Sequence, residues 1–316
     1  MLSLIKSAHT RQGDSMPPFS VIIISLGRQD QLKKCLSSLP KDARHIVVGL
    51  EEGSSLGARL NQAMESVPDE WILLIDESAQ LTKNYVEQSL LILEDKRVDI
   101  LGGPDVPVED SFFLQSRAIA LSSPFCTGTT FVRHRGLGKK LLASDEERLT
   151  HRAFWIRKSV IEKGMSFDET DSFFKAFFLQ KSKQNGFGVY YHPMIKVLVG
   201  GGQNVKELWM ESFSSGFYRS ELNRRKMSSG SEIFWLPAVF FLMHLLILVD
   251  LDLFLEGVKL YAGLVICVSI GLSMKRRKVF SFPLVAIMHY FIVMAYGIGF
   301  LCERLVQVVG NSKKEL

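Results

Sequence analysis

The chain has 316 residues, a formal net charge of +5 at pH 7 and 47% hydrophobic residues. This length is sufficient for a sizeable core, and the basic residues form short clusters beside apolar runs rather than one long tract. Such clusters are typical of membrane flanks, so we expect membrane lipids and no nucleic acid among the partners. The 4 cysteines contain no CxxC pair, which argues against a zinc site or a disulfide framework.

The segment that ends near residue 103 alternates apolar runs with amphipathic stretches. The runs FSVIIISL, HIVVGL, WILLID and VDILGG predict buried strands, and the stretches between them predict helices. Strict alternation predicts an α/β fold with a mainly parallel sheet and flanking helices. Ligands of such folds bind at the carboxyl ends of the strands, so residues 25–28, 49–53 and 76–78 are expected along one edge.

The last third of the chain contains three apolar runs, at about 233–249, 257–274 and 279–302. A helix needs ~20 apolar residues to cross a bilayer, and three successive runs predict three transmembrane helices. The alternative, buried helices of a soluble core, is disfavoured by the short charged links between the runs. Basic residues before the first run and the KRRK loop (275–278) predict that the large domain faces the cytosol.

The N-terminal segment carries charges throughout and does not resemble a signal peptide. The expected protein is therefore a multi-pass protein of the inner (plasma) membrane with its large domain in the cytosol. Its predicted parts are an N-terminal tail (1–18), a cytosolic domain (19–204), an interfacial amphipathic helix with a basic linker (205–230), three membrane helices (231–303) and a C-terminal tail (304–316).

Several segments resemble, in the same order, those of the membrane-anchored family 2 glycosyltransferases of bacterial type. They are FSVIIISLGRQDQLKKCLSSL, LGARLNQAMESVPDEWILLIDES, ILGGPDVPVEDSFFLQSRAIALSSPFCTG, RAFWIRKSVIEKGMSFDE and HYFIVMAYGIGF. The resemblance implies the nucleotide-diphospho-sugar transferase fold and a hexosyltransferase-like activity. It also implies a nucleotide-sugar donor and a lipid-linked or glycan acceptor, as in the synthesis of cell envelope polysaccharide.

The family's metal motif is Asp-x-Asp, and the corresponding residues here are Asp76, Glu77 and Ser78. A divalent cation stabilises the charge that develops on a diphosphate leaving group, and Mg²⁺ or Mn²⁺ prefers carboxylate oxygens. The resemblance thus predicts that Asp76 and Glu77 bind such a cation. The alternative is that both residues end the strand and cap the segment that follows.

The resemblance also assigns a donor-binding role to a set of residues near the predicted strand ends. These residues are Ser25, Arg28, Glu51, Gly57, Asn61 and Asp76. For Glu51 the alternative is an exposed acidic turn built on Gly53.

The family's general base lies in an acidic motif that corresponds to Lys175 and Ala176 here. An acceptor hydroxyl needs a carboxylate to take its proton, and the nearest acids are Asp168, Glu169 and Asp171. Asp171 is the predicted base if the preceding loop is shorter than usual. The alternative for Asp171 is an N-cap of the apolar helix that follows.

Two hypotheses of function result. In the first, the protein is an active transferase, and Asp76, Glu77 and Asp171 converge on one cleft. In the second, it is a catalytically degenerate transferase-fold membrane protein that acts as a binding or partner subunit. The missing second aspartate and the missing base motif favour the second hypothesis, and the family resemblance favours the first.

Overall fold

The fold is described from a computed structural model of the chain. The residues that it describes are 18–41, 43–49, 55–136, 138, 141–143, 148–169, 173–200, 204–225, 235–244, 247 and 250–312.

The described residues form ten strands and twelve α-helices. The strands are β1 (Phe19–Ser25), β2 (Arg44–Gly49), β3 (Trp71–Asp76), β4 (Ala79–Leu81), β5 (Ile100–Gly102), β6 (Asp105–Pro107), β7 (Leu142–Ala143), β8 (Ala153–Arg157), β9 (Val189–Tyr191) and β10 (Val197–Val199). The helices are α1 (Gln29–Ser38), α2 (Leu56–Ser66), α3 (Tyr85–Leu93), α4 (Phe112–Leu121), α5 (Pro124–Thr127), α6 (Phe131–Arg135), α7 (Lys158–Glu162), α8 (Phe174–Gln184), α9 (Val205–Arg224), α10 (Leu236–Met243), α11 (Leu251–Lys275) and α12 (Phe282–Ser312).

The central sheet has seven strands within the described residues, in the order β2-β1-β3-β8-β5-β9-β7. β1 pairs in parallel with β2 and β3, and β5 pairs in parallel with β9. β8 runs antiparallel to both of its neighbours, β3 and β5. The sheet is therefore mixed, and the predicted mainly parallel sheet holds only for part of it. β8 begins beside the carboxyl end of β3, where Ala153 pairs with Ile75, and it therefore runs in the direction opposite to β3.

The strand β1 is buried along its whole length because both of its faces are covered. Ile22 and Ile24 lie in the cluster that contains residues of α2 and α8. Val21 and Ile23 lie in the cluster on the other side, with residues of α1 and α3. A strand that is buried on both faces has a continuous apolar sequence, which is why this run was a reliable strand signal.

A second sheet, which the sequence did not predict, has the strand order β4-β10-β6. β10 pairs antiparallel with β4 and parallel with β6. This small sheet follows directly from the carboxyl end of β3, since β4 begins at Ala79. It therefore adds a wall beside the edge at which ligands of this architecture bind.

Two of the C-terminal helices, among the residues that the structure describes, are long and apolar enough to cross a membrane. They are α11, with 25 residues, and the apolar part of α12. Of the predicted first span (233–249), the structure describes residues 235–244 and 247, and the helix there is α10, with 8 residues. At 1.5 Å per residue, α10 is about 12 Å long, which is less than half of a hydrocarbon core. For the described residues, the prediction of three spans is therefore corrected to two candidates.

The helix α12 also belongs to the core of the protein, because half of its apolar window (50%) is buried, compared with 11% for α11. The cluster around Val285, Met288 and Ile292 includes Leu208 of α9. Farther along, the Ser220 hydroxyl of α9 donates a hydrogen bond of 2.6 Å to the buried Glu303 carboxylate. The predicted interfacial helix α9 therefore packs along α12.

Two glycines make the contact between α9 and α12 close. A Cβ at Gly216 would overlap with the carbonyl oxygen of Tyr296, and one at Gly299 would overlap with the carbonyl oxygen of Phe213. Small residues at such positions allow two helix backbones to approach each other, and their packing then depends on the missing side chain.

The KRRK loop lies next to the large domain. Lys278 forms a salt bridge of 2.5 Å with Glu109, which lies between β6 and α4. This contact places the loop and the large domain at the same end of α12, which is the arrangement that the charge pattern predicts.

We expect the substitution Gly216→Ala to destabilise the protein, because the new methyl group meets the backbone of α12. Overpacking of this kind costs about 1–3 kcal/mol of unfolding free energy. Gly271→Ala is the matched control, since a Cβ at Gly271 in α11 meets nothing within 4 Å. Thermal unfolding of the detergent-purified variants should show a lower Tm for Gly216→Ala alone. Equal Tm values for the two variants would contradict the close packing of α9 and α12.

Candidate functional site

A cavity of about 560 Å³ lies at the carboxyl end of β3, between the small sheet and helices α4 to α6, α8, α9 and α12. Asp76, the last residue of β3, and Asp105, the first residue of β6, both line it. The cavity therefore lies at the edge where ligands of open α/β sheets bind.

Positive charge exceeds negative charge in this cavity. Within the described part of the chain, 3 carboxylates line it, from Asp76, Asp105 and Glu211. The side-chain cations that line it number 5, from Arg117, Arg133, Arg152, Lys175 and Arg219. A cleft with an excess of one sign of charge attracts ligands of the other sign, so the cavity suits an anion.

Asp76 forms a salt bridge with Lys175. The Lys175 Nζ atom lies 2.6 Å from both carboxylate oxygens of Asp76. Both side chains are mostly buried, with exposed fractions of 17% for Lys175 and 19% for Asp76. Lys175 is in the first turn of α8, at the position where the resemblance predicted an acidic base.

Glu77 points away from the cavity. Its side chain is 3% exposed, and the Ser25 hydroxyl donates a hydrogen bond of 2.7 Å to its Oε2 atom. The backbone N–H of Arg28 lies 3.3 Å from both oxygens of the same carboxylate. In this structure, therefore, Asp76 and Glu77 do not converge as the predicted pair of metal ligands. The Ser25 hydroxyl and the backbone N–H of Arg28, two residues predicted to bind the donor, thus contact a buried acid next to the start of α1.

An arginine contacts the residue that replaces the second aspartate of the family motif. Arg152 donates a hydrogen bond of 2.7 Å from Nη1 to the Ser78 hydroxyl. Glu211 of α9 lies 3.6 Å from Arg152 and 2.6 Å from Arg117, so the one carboxylate contacts two guanidinium groups. These contacts keep the Arg152 guanidinium at the carboxyl end of β3.

The arrangement around Asp76 does not fit a divalent cation. Both Asp76 oxygens contact the Lys175 ammonium, and both Glu77 oxygens accept hydrogen bonds from Ser25 or Arg28. In the described ranges, no three His, Cys, Asp or Glu residues come together in a group that would hold a metal ion. Mg²⁺ and Mn²⁺ need several oxygen ligands, and this site offers no free carboxylate pair.

Gly57 and Asn61 hold a neighbouring segment in place. The Asn61 amide donates a hydrogen bond of 3.0 Å to the Phe167 carbonyl oxygen and accepts one of 2.8 Å from the Phe167 N–H. A Cβ at Gly57 would overlap with the carbonyl oxygen of Asp168. The structure thus assigns both positions a contact with the backbone at 167–169, whereas the resemblance assigned them to donor binding.

Two of the three acids predicted as candidate bases, Asp168 and Glu169, do not line the cavity. Asp168 lies 3.8 Å from Arg225, in a separate depression of about 370 Å³. Glu169 is exposed. Neither of these two described side chains lines the cavity with Asp76. Asp171, like the predicted donor-binding residue Glu51, lies outside the described residues.

Asp105 is an acid of the cavity that the sequence interpretation missed. It is 8% exposed, and its Oδ1 atom has no hydrogen-bond partner among the described residues. Its Oδ2 atom lies 3.9 Å from the Nε atom of Arg133. The available signal was its place directly after GGP, at the carboxyl end of β5.

His134 lines the cavity as a neutral side chain. Burial lowers its pKa well below the usual value, and the nearby cations Arg133, Arg117 and Arg152 lower it further. The imidazole therefore adds no positive charge to the cavity at pH 7.

The apolar helix α12 forms one side of the cavity. Ile292 and Tyr296 of α12 line it, as do Leu208 and Ser212 of α9. The cavity is therefore polar and cationic at the end of β3 and apolar where it meets the C-terminal helices.

Comparison with known proteins shows a glycosyltransferase fold. No protein-family model and no curated protein match the chain. The solved mannosyltransferase PcManGT from Pyrobaculum calidifontis, in complex with GDP-Man and Mn²⁺, is 10% identical, with a TM-score of 0.53 and coverage of 91% of this chain and 88% of that chain. Two crystal structures of S. aureus TarS 1–349, the second in complex with UDP, are 13% and 14% identical over 91% of both chains, each with a TM-score of 0.44.

We expect Asn61→Ala to lower stability, because it leaves the Phe167 N–H and carbonyl groups without their side-chain partner. An unsatisfied buried group costs about 1–3 kcal/mol. Gln62→Ala is the control, since Gln62 is the exposed neighbour on the same helix. Thermal unfolding should show a decrease for Asn61→Ala only. Unchanged stability together with weaker nucleotide-sugar binding would instead support the donor-binding role that the resemblance implies.

Proposed function

We propose that the protein transfers a sugar from a nucleotide-sugar donor to a membrane-associated or surface-glycan acceptor. The observation that carries this proposal is the cation-rich cavity at the carboxyl end of β3, in a chain with a glycosyltransferase fold. A donor of this class carries a diphosphate, and a cavity with excess positive charge favours such a group.

The proposed reaction transfers the sugar in one displacement. The acceptor hydroxyl oxygen attacks the anomeric carbon, and the bond from that carbon to the phosphate oxygen breaks. The nucleoside diphosphate leaves with the electron pair, and the hydroxyl proton passes to a carboxylate. The side chains of Lys175, Arg152 and Arg219 stabilise the negative charge that develops on the leaving group.

Asp105 is the carboxylate that we assign as proton acceptor. Asp76 contacts an ammonium at 2.6 Å through both oxygens, and Glu211 contacts a guanidinium at 2.6 Å. Asp105 has one oxygen without a described partner, and the nearest cation among the described residues lies 3.9 Å away. Of the described acids of the cavity, it is therefore the one least engaged by positive charge. This proposal replaces Asp168 and Glu169, whose described side chains lie elsewhere.

The acceptor is proposed to approach from the C-terminal helices. α12 contributes Ile292 and Tyr296 to the cavity, and α11 exposes apolar side chains such as Leu260, which is 79% exposed. Phe280, before α12, is 92% exposed. Exposed apolar surface of this extent suits lipid, so we propose anchoring in the inner (plasma) membrane with the large domain in the cytosol. A lipid-linked acceptor would then reach the cavity along α12.

A second candidate function is binding without turnover. The observation that favours it is the pairing of Asp76 with Lys175, since a lysine stands where the family has its base. A protein of this kind would bind a nucleotide or a glycan as a partner subunit.

The first experiment is calorimetric titration of the detergent-purified full chain with UDP-, GDP- and dTDP-sugars. We expect one donor class to bind, and we expect a radiolabelled sugar from that donor to appear in lipid or glycan extracted from membranes. Binding without transfer to any extracted acceptor would support the second candidate. The absence of binding by every donor would overturn the transferase proposal.

We expect Asp105→Asn to reduce kcat about 10²- to 10⁴-fold, the usual contribution of a general base, with little change in the dissociation constant of the donor. Asp110→Asn is the control, because Asp110 is an exposed acid shortly after β6. The measurement is the initial rate of sugar transfer at saturating donor, compared between each variant and the wild type. A kcat for Asp105→Asn within a few fold of the wild type would exclude Asp105 as the base.

A further inference from the structure

The salt bridge between Asp76 and Lys175 occupies the position of the first metal ligand in the Asp-x-Asp motif. The ammonium contacts both carboxylate oxygens at 2.6 Å, and both side chains are at least four-fifths buried. A divalent cation on the same carboxylate would have to lie within a few ångströms of a positive charge. Repulsion at that distance is strong in a partly buried site.

Protein cations also occupy the position of the second metal ligand. Ser78 contributes no negative charge there and accepts a hydrogen bond of 2.7 Å from Arg152. A divalent cation and the two aspartates that hold it have a net charge of zero. Asp76, Lys175 and Arg152 together have a net charge of one positive unit. Glu211 does not cancel that charge alone, because its carboxylate lies closer to Arg117 than to Arg152.

We propose that Lys175, with Arg152, takes the place of the divalent cation, so that the diphosphate of the ligand binds to protein side chains without metal. This inference rests on the proposed nucleotide-sugar site. The family resemblance implies that a divalent cation is needed. The inference departs from that expectation because Lys175 and Arg152 of this chain contact the two residues of the motif that would hold the cation. The Lys175 side chain lines the cavity and presents a positive charge to an anion that enters it.

The test is calorimetric titration of the full chain with UDP and GDP, first in EDTA and then with MnCl₂. We expect one nucleotide to bind with the same dissociation constant, within twofold, in both buffers. Lys175→Met should weaken that binding about 10- to 100-fold, the effect of losing a hydrogen bond to a charged group. Lys175→Arg should retain most of it because the charge is kept.

Lys183→Met is the matched control, since Lys183 is exposed on the same helix α8. It should bind the nucleotide like the wild type. If Lys175→Met does not fold, as judged by its circular dichroism, the comparison of EDTA with MnCl₂ on the wild type decides the question alone. Binding that requires Mn²⁺ would overturn the inference and leave the transferase proposal intact.

Electron paramagnetic resonance of added Mn²⁺ gives a second readout that needs no nucleotide. We expect wild type and Asp76→Asn to leave the same amount of free Mn²⁺, because Asp76 is engaged by Lys175. A wild-type chain that depletes the free signal, where Asp76→Asn does not, would overturn the inference. Failure of every nucleotide to bind would count against the proposed function, whereas this readout decides the cation question separately.

Discussion

The salt bridge between Asp76 and Lys175 joins the end of the central strand β3 to the first turn of α8. It therefore connects the sheet to the helix that covers one of its faces, at the edge of the cavity. Removing one partner of a buried ion pair leaves an uncompensated charge, which costs about 3–5 kcal/mol when burial is complete. Here the cavity keeps both groups within reach of solvent, so the same pair that fixes α8 is also accessible to a ligand.

The other cavity contacts extend this pattern. Arg152, directly before β8, contacts Ser78, and Glu211 of α9 contacts both Arg152 and Arg117 of α4. These contacts connect the sheet with α4 and α9, which both pack against α12. The charged groups of the cavity thus hold together the elements that surround it. A ligand anion would bind to side chains that are already oriented by their neighbours, which lowers the ordering cost of binding.

The sequence predicted the first half of the domain well, because β1 and β3 are buried along almost their whole length and the helices carry clear apolar stripes. β1 to β3 and α1 to α3 lie where those patterns placed them. The antiparallel direction of β8 could not be predicted, since it depends on where the preceding helices leave the chain. The three-residue strands of the small sheet are too short for a periodic signal, and they exist through pairing with distant residues.

The C-terminal part shows what hydropathy reports and what it does not. An apolar run reports that a segment avoids water, but not where its helix ends. The run at 233–249 predicted a full span, and within the described residues of that run the structure has the short helix α10. Hydropathy also does not report whether protein or lipid covers a helix. The charged helix α9, with its small residues Ser212, Gly216 and Ser220, covers one side of α12.

For the candidate site, the strand-end rule identified Asp76 correctly as a cavity residue, but its partner could not be predicted from an acidic motif. Lys175 stands where the family's pattern has an acid, so comparison with that pattern alone indicates a lost general base. In the structure, the same residue adds a positive charge to the cavity. Arg117 and Arg219 lie in α4 and α9, and Arg152 directly precedes β8, so no spacing in the sequence brings them together.

The two ends of the cavity have different chemistry, and α12 explains why. Near β3 the lining is cationic, and near α12 it includes Ile292, Tyr296 and Leu208. The exposed surface of the C-terminal segment includes large apolar side chains, such as Leu260 in α11 and Phe280 directly before α12. An acceptor with a polar head and an apolar tail would match both ends at once, because its head would meet the cations while its tail stayed beside α12. A wholly soluble sugar acceptor would use only the cationic end and would leave the contribution of α12 to the cavity without a function.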